Sequence, residues 1–181
     1  MSAQRYSIPA IVLHWLVAGL IIATFPLGLF MSAMALSPRK LQLYSYHKWI
    51  GIVILLLVVL RLLWRITHRP PAPLAGMPRW QENSAHAVHL VLYGLMLAVP
   101  LSGWLMSSAL GFQVVLFGVL PLPDLIAANK TTGHELKIVH EWLNYSLLAM
   151  VALHVGAALH HHFILRDGTL RRMSWNRGER K

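Results

Sequence analysis

Two histidines, His140 and His154, stand fourteen residues apart in a stretch that is otherwise largely apolar. Fourteen residues are close to four turns of an α-helix, so the second imidazole returns to nearly the same face about 21 Å further along the axis. A polar ring inside a membrane is costly unless it has a partner. Two rings on one face at two depths therefore predict a ladder of two buried metal centres, and two stacked haems would satisfy it.

The composition indicates a membrane protein. Of the 181 residues, 56% are hydrophobic and 12% are charged, which is too apolar for an ordinary soluble domain. The length suits one bundle of about four spans and no second domain. The chain has no cysteine, which excludes disulfides, iron–sulfur clusters, zinc–thiolate sites and covalently attached haem. Any haem must therefore be b-type, held by side chains alone.

Four apolar stretches are each close to the length that crosses about 30 Å of hydrocarbon. We predict a single all-α domain over residues 1–181, an integral membrane four-helix bundle with spans at about 8–35, 44–65, 84–109 and 136–165. Glycine and proline flank residues 111–123, for which we expect a short interfacial or re-entrant segment. We expect Pro100 to kink the third span and the basic tail 166–181 to be mobile.

The basic residues are divided unevenly between the two sides of this bundle. Eleven of the 16 lie on the side that carries both termini, and the other five lie on the opposite side. The positive-inside rule then predicts that the N- and C-termini are cytoplasmic. Most of these charges flank spans, so we expect membrane lipid headgroups as their partners and no nucleic acid.

Chain direction sorts the histidines into two layers by depth. The outer layer holds His47 and His140, and the inner layer holds His14, His89 and His154. The outer layer has two candidates, which is the number that a six-coordinate bis-imidazole haem requires. The inner layer has three candidates for two axial positions, so the residues alone leave open whether His14 or His89 is the ligand opposite His154.

Glycines and arginines stand at matching depths on the other helices. A helix can lie against a flat porphyrin only where its residues have no side chain, so Gly28, Gly51 and Gly103, all at the outer depth, are candidates for haem contact. Small residues also serve helix packing, which is the alternative explanation. Arg61 and Arg65 lie at the inner depth, where a guanidinium can pair with a haem propionate.

These residues make the chain similar to the bacterial cytochrome b561 family, which is related to the cytochrome b subunits of nickel–iron hydrogenases and formate dehydrogenases. The resemblance covers nearly the whole chain. The segments that carry it are IVLHWL (11–16), YHKWIG (46–51), AHAVHLVLY (85–93), VHEW (139–142) and LHVGAALHHH (153–162).

The resemblance implies two b haems, with one axial ligand each from the first and second helices and two from the fourth. Carried over to this chain, His47 and His140 bind the iron of the outer haem, and His14 and His154 bind the iron of the inner haem. A replacement of His14 by His86 or His89 stays open.

The resemblance also implies a membrane oxidoreductase of the bacterial inner membrane that exchanges electrons with a quinone. Stand-alone members oxidise superoxide and reduce ubiquinone, and the four spans and short loops favour this kind. Lys48 and Lys137 at the outer mouth are then expected to attract superoxide, a small anionic donor. His86, His89 and His161 are inner-side candidates for the quinone site or for contacts to propionates.

Two other functions fit parts of the sequence. The chain could be a cytochrome b subunit that passes electrons between a dehydrogenase or hydrogenase partner, a redox protein, and the quinone pool. It could also be a histidine-lined transporter for a divalent metal. Transporters usually carry carboxylates inside the membrane, and no Asp or Glu lies in the middle of a predicted span here.

Overall fold

The structure, a computed structural model, describes residues 5–68, 70–74 and 76–174. Four long helices form most of it, and each is long and apolar enough to cross a membrane. They are α1 (Ile8–Ala33), α2 (Pro38–Thr67), α3 (Arg79–Ala109) and α4 (Lys130–Phe163). The prediction of an all-helical membrane protein with four spans is therefore confirmed. Large apolar side chains are exposed on all four helices, which is the surface that lipid chains cover.

Two of the helices begin several residues before their apolar stretches, and each begins after a polar N-cap residue. At the start of α2, the Ser37 hydroxyl accepts a hydrogen bond from the Lys40 backbone N–H at 3.2 Å. At the start of α4, the Asn129 side-chain oxygen accepts one from the Thr132 N–H at 3.2 Å. Each cap satisfies a backbone donor that the first helical turn leaves unpaired, so α2 and α4 extend beyond the hydrocarbon.

The segment 111–123 is a short β-hairpin between α3 and α4. Its strands are β1 (Val115–Leu116) and β2 (Leu120–Pro121), which pair antiparallel. The turn between them places Phe117 and Gly118 in the left-handed region, with φ of 53° and 75°. A hairpin pairs its own backbone groups, which suits a segment too short to span.

The helices run antiparallel to their neighbours along the chain, so the bundle has two distinct ends. At the termini end, which carries residues 5–7 and 164–174, the Trp64 indole N–H donates to the Ser7 hydroxyl at 2.9 Å. At the hairpin end, which carries β1 and β2, the Trp49 indole N–H donates to the Val115 carbonyl at 2.7 Å.

The first part of the C-terminal tail is docked on the bundle. A 3-10 turn at Leu170–Met173 follows α4, and the Trp15 indole N–H donates to the Met173 carbonyl at 2.8 Å. The Arg5 guanidinium donates to the Ser174 carbonyl at 2.6 Å, and Arg172 donates to the Ala72 carbonyl at 2.6 Å. As far as residue 174 the tail lies against the bundle, because its backbone carbonyls accept hydrogen bonds from Arg5 and from Trp15 on α1, and its mobility stays a prediction. Residues 175–181 lie outside the described part of the chain.

A layer of buried apolar side chains crosses the middle of the bundle. Its members come from all four helices and pack together: Val17, Ile54, Val58, Leu92, Met96 and Leu147. Leu147 lies one heptad from both His140 and His154, and Ile54 lies one heptad after His47. This apolar layer therefore separates the outer and inner histidines along the bundle axis.

Candidate functional site

Two imidazoles face each other across the interior near the hairpin end. The ring centroids of His47 on α2 and His140 on α4 are 6.4 Å apart, with their planes at 84°. The closely packed helix pairs are consecutive along the chain: α1 with α2, α2 with α3, and α3 with α4. This histidine pair instead joins two helices that are not consecutive, so it lies across the interior of the bundle.

Two glycines make room for these rings. A Cβ at Gly28 would lie 3.2 Å from Cε1 of His47, and a Cβ at Gly103 would lie 3.0 Å from Cε1 of His140. Real side chains rarely approach so closely, so each glycine lets a helix pass beside an imidazole. Gly51, the other glycine predicted for haem contact, has nothing within 4 Å of such a Cβ, and its role stays a prediction.

Three imidazoles meet nearer the termini end. The centroids of His14 and His154 are 6.2 Å apart, with their planes at 81°. His89 also reaches His154, at a centroid distance of 5.3 Å and an angle of 67°. The structure thus brings together all three histidines of the predicted inner layer.

The two wider separations suit a metal ion held between the rings. A metal–imidazole bond is about 2 Å long, so two such bonds in line, with half of each ring, separate the centroids by roughly 6 Å. The His47–His140 and His14–His154 distances have this value, whereas the His89–His154 distance of 5.3 Å is shorter.

The Nδ1 atoms provide a second test of fit. His14 Nδ1 is buried without a partner, and His47 Nδ1 lies beside the Thr24 backbone without a hydrogen bond of ordinary geometry. Buried polar atoms in that state are costly, and coordination through the other ring nitrogen is one compensation. The side chains present therefore fit b haem at both layers, and the assignment of individual axial ligands stays a prediction.

A cavity of about 570 Å³ opens beside the inner histidines at the termini end. Arg61, Arg65, His89 and Tyr93 line it, and none of its described lining residues is Asp or Glu. The guanidinium carbons of Arg61 and Arg65 lie 5.5 and 5.9 Å from the centre of the Tyr93 ring. Two neighbouring guanidiniums favour an anionic ligand, and a porphyrin carries two propionates. The structure thus places Arg61 and Arg65, both predicted at the inner depth, side by side in this lining.

The two lysines predicted at the outer mouth differ in their surroundings. Lys48 is half-buried, and its ammonium lies 3.2 Å from both the Ser107 hydroxyl and the Phe112 carbonyl. It therefore anchors the end of α3 as well as contributing charge. Lys137 is exposed on the first turns of α4.

The remaining inner-side candidates lie outside the described lining of the cavity. His86 is exposed on α3. His161 Nδ1 is hydrogen-bonded to the carboxylate of Asp167, a partner that sequence reasoning missed because the chain turns back after α4. Partial burial alone would raise the pKa of the Asp167 carboxyl, but hydrogen bonds from His161 and Thr169 outweigh it and lower that pKa. Asp167 is therefore ionised at neutral pH and holds the His161 ring in place.

Comparison with known proteins finds relatives along nearly the whole chain. The family model described as prokaryotic cytochrome b561 matches residues 5–176. The protein named Cytochrome b561 homolog 2 of Escherichia coli (strain K12) is 34% identical over 173 residues, which cover 95% of this chain and 92% of the relative. The protein named Probable superoxide oxidase CybB of Yersinia pestis is 32% identical over 173 residues, covering 94% and 96%. Cytochrome b561 homolog 1 of Escherichia coli (strain K12) is 31% identical over 180 residues, covering 94% and 97%.

The close approach of Gly103 to His140 gives the first prediction. Gly103→Ala should lower stability by about 1–3 kcal/mol, because the new methyl group overpacks a buried ring. Gly94→Ala on the same helix is the matched control, since a Cβ there meets nothing within 4 Å, and it should be neutral or stabilise by about 0.4–1 kcal/mol. Thermal unfolding in detergent, followed by visible absorbance, measures both. Equal effects of the two substitutions would contradict the close fit around His140.

Proposed function

This chain belongs to the prokaryotic cytochrome b561 family, a family of membrane electron-transfer proteins, and on that premise we propose that it holds two stacked b haems and carries electrons between its two ends. The resemblance drawn from its motifs is thereby confirmed at the level of the family. The finer reaction that we propose is oxidation of superoxide at the hairpin end and reduction of ubiquinone at the termini end. The observation that carries the proposal is the pair of facing imidazoles at each of two depths.

His47 and His140 would hold the outer haem, and His14 and His154 the inner one. A b haem bound at either place supplies one-electron oxidation and reduction. Arg61 would pair with a propionate of the inner haem, since its guanidinium lies in the cavity beside the inner histidines. The apolar layer between the two pairs keeps water out of the space that separates them.

We also propose that the protein lies in the bacterial inner membrane with its termini end in the cytoplasm. The support is the uneven distribution of basic residues, of which eleven of 16 flank that end. The hairpin end then faces the periplasm, where superoxide is the small anionic donor of the proposed reaction.

Charge at the hairpin end supports attraction of an anion. Lys137 is exposed there, and Lys48 adds a cation one residue after a proposed haem ligand. A rim with an excess of positive charge raises the local concentration of superoxide and its rate of encounter. One relative carries the name of a probable superoxide oxidase, which supports the same reaction here.

The termini end offers the groups that quinone reduction needs. A quinone carbonyl requires a hydrogen-bond donor and then a proton, and histidine supplies both near neutral pH. We propose that His89, which lines the cavity, and His161 and His86 near the same end form this site. Asp167 accepts the Nδ1 hydrogen bond of His161, which leaves Nε2 as the atom that can face a quinone.

The second prediction tests the haems and their ligands. A pyridine haemochrome assay on the purified protein should give about two b haems per chain, because there are two bis-imidazole sites. His14→Ala should lose the inner centre or convert it to high spin. His89→Ala should leave both centres low-spin, because its 5.3 Å distance to His154 is too short for a shared iron. A ratio near one or zero, or the reverse behaviour of the two variants, would overturn the assignment.

The third prediction tests superoxide as the donor. Lys137→Glu should slow haem reduction by superoxide by roughly tenfold at low salt, since it reverses a charge on the outer rim. Lys137→Arg keeps the charge and should behave as the unaltered protein. Rising salt should also slow the reaction, because the Debye length falls from about 30 Å at 0.01 M to about 10 Å at 0.1 M. Stopped-flow absorbance measures the rate of haem reduction. A rate that changes neither with the charge at residue 137 nor with salt would favour a redox protein as the donor.

The fourth prediction tests the quinone site. His161→Ala should keep both haem spectra but slow reoxidation of the reduced protein by a ubiquinone analogue by about 10²-fold or more, because a proton donor is lost. His162→Ala, one residue further along α4, is the matched control and should reoxidise normally. Unchanged kinetics in His161→Ala would remove this residue from the site, and loss of a haem would make it a ligand instead.

A further inference from the structure

We infer that Ser102 is a positioning residue for the outer haem: with the Val99 carbonyl, it fixes both the orientation and the tautomer of His140. This inference rests on the proposed function, in which His140 is an axial ligand. The three groups form a closed triangle between His140 on α4 and the hairpin-end half of α3, which carries Val99 and Ser102. His140 Nδ1 lies 3.0 Å from the Val99 carbonyl oxygen and 3.0 Å from the Ser102 hydroxyl oxygen, and that hydroxyl lies 2.7 Å from the same carbonyl.

The hydrogen positions in this triangle follow from what each group can do. A carbonyl oxygen can only accept, so the Nδ1 of His140 must carry the hydrogen that points to Val99. The Ser102 hydroxyl donates its own hydrogen to the Val99 carbonyl, and its lone pairs then accept from the same Nδ1–H. Every donor and acceptor in the triangle is used, and no other placement of the hydrogens satisfies all three distances.

This arrangement leaves Nε2 of His140 with a free lone pair. A haem iron needs such a nitrogen, and the hydrogen bond made by the opposite nitrogen sets which one is free. The ring also has little freedom to turn, because a Cβ on Gly103 would already lie 3.0 Å from its Cε1. Ser102 is 6% exposed, so water does not compete for its hydrogen bonds.

Two other proposed ligands, His14 and His47, lack this support. His14 Nδ1 has no partner, and His47 Nδ1 has no hydrogen bond of ordinary geometry. Of the facing imidazoles at the two layers, His140 is therefore distinguished by a fully satisfied Nδ1–H with two acceptors. Donation from Nδ1–H makes an imidazole a stronger electron donor to its metal, which favours the oxidised iron. We thus assign to Ser102 a lowering of the outer haem's midpoint potential.

The test is a redox titration of purified, haem-loaded protein carrying Ser102→Ala. One of the two haems should show a higher midpoint potential, since His140 loses one of its two acceptors, while the other haem keeps its value. The low-temperature electron paramagnetic resonance signal of the same haem should shift as the ring loses its fixed orientation. Ser102→Cys, which keeps a weaker acceptor at the same place, should shift the potential in the same direction by a smaller amount.

Ser108→Ala is the matched control. Ser108 is a buried serine on the same helix, 2% exposed, whose hydroxyl donates to the Trp104 carbonyl and accepts from the Leu125 N–H. It should leave both potentials unchanged. Unaltered potentials in Ser102→Ala, a shift of opposite sign in Ser102→Cys, or equal shifts in Ser102→Ala and Ser108→Ala would each overturn the inference. A haem content below two in the unaltered protein would instead count against the proposed function.

Discussion

Imidazole rings that face each other 6.4 and 6.2 Å apart in the middle of a membrane bundle are held there against a considerable cost. Each ring carries polar nitrogens into a region where lipid and apolar side chains offer no hydrogen bonds. Hydrophobic packing alone would not place them there, because two apolar side chains would fill the same space more cheaply. A metal ion shared between the two rings of each pair, as proposed, would explain both the presence of the rings and the distance between them.

Each helix packs closely only with its neighbours along the chain. The facing imidazoles join α2 to α4 and α1 to α4, pairs that are not consecutive, so these helices meet through histidine side chains at two depths. Between these depths the apolar layer closes the bundle with residues from all four helices, including the nearly inaccessible Val17 and Val58. The bundle therefore alternates along its axis between levels where imidazoles meet and a level of packed apolar side chains.

The four spans and the two histidine layers could be predicted, because both follow from the spacing of residues along single helices, which can be read from the sequence. The sequence could not decide whether His14 or His89 lies opposite His154. A spacing of fourteen residues gives the depth of a residue in the membrane, but it does not give its distance from a residue on another helix. The hairpin also left no periodic signal, since each strand has two residues. The role of Lys48 as an anchor depends on where α3 ends, and Asp167 meets His161 only because the chain reverses after α4. Contacts of this kind need the tertiary fold.

On the proposed ligation, the surroundings of the two layers differ in a way that sets a direction for electrons. At the inner layer, Arg61 and Arg65 bring positive charge close to the site, and positive charge in a medium of low dielectric favours the reduced iron. At the outer layer, the Nδ1–H of His140 donates to two oxygens, which favours the oxidised iron. On the proposed ligation, both effects would make the inner centre the better electron acceptor, and an electron delivered at the hairpin end would then move downhill toward the termini end. The same difference between the two layers would oppose electron transfer from a quinone to an acceptor at the hairpin end, and it would require no conformational change.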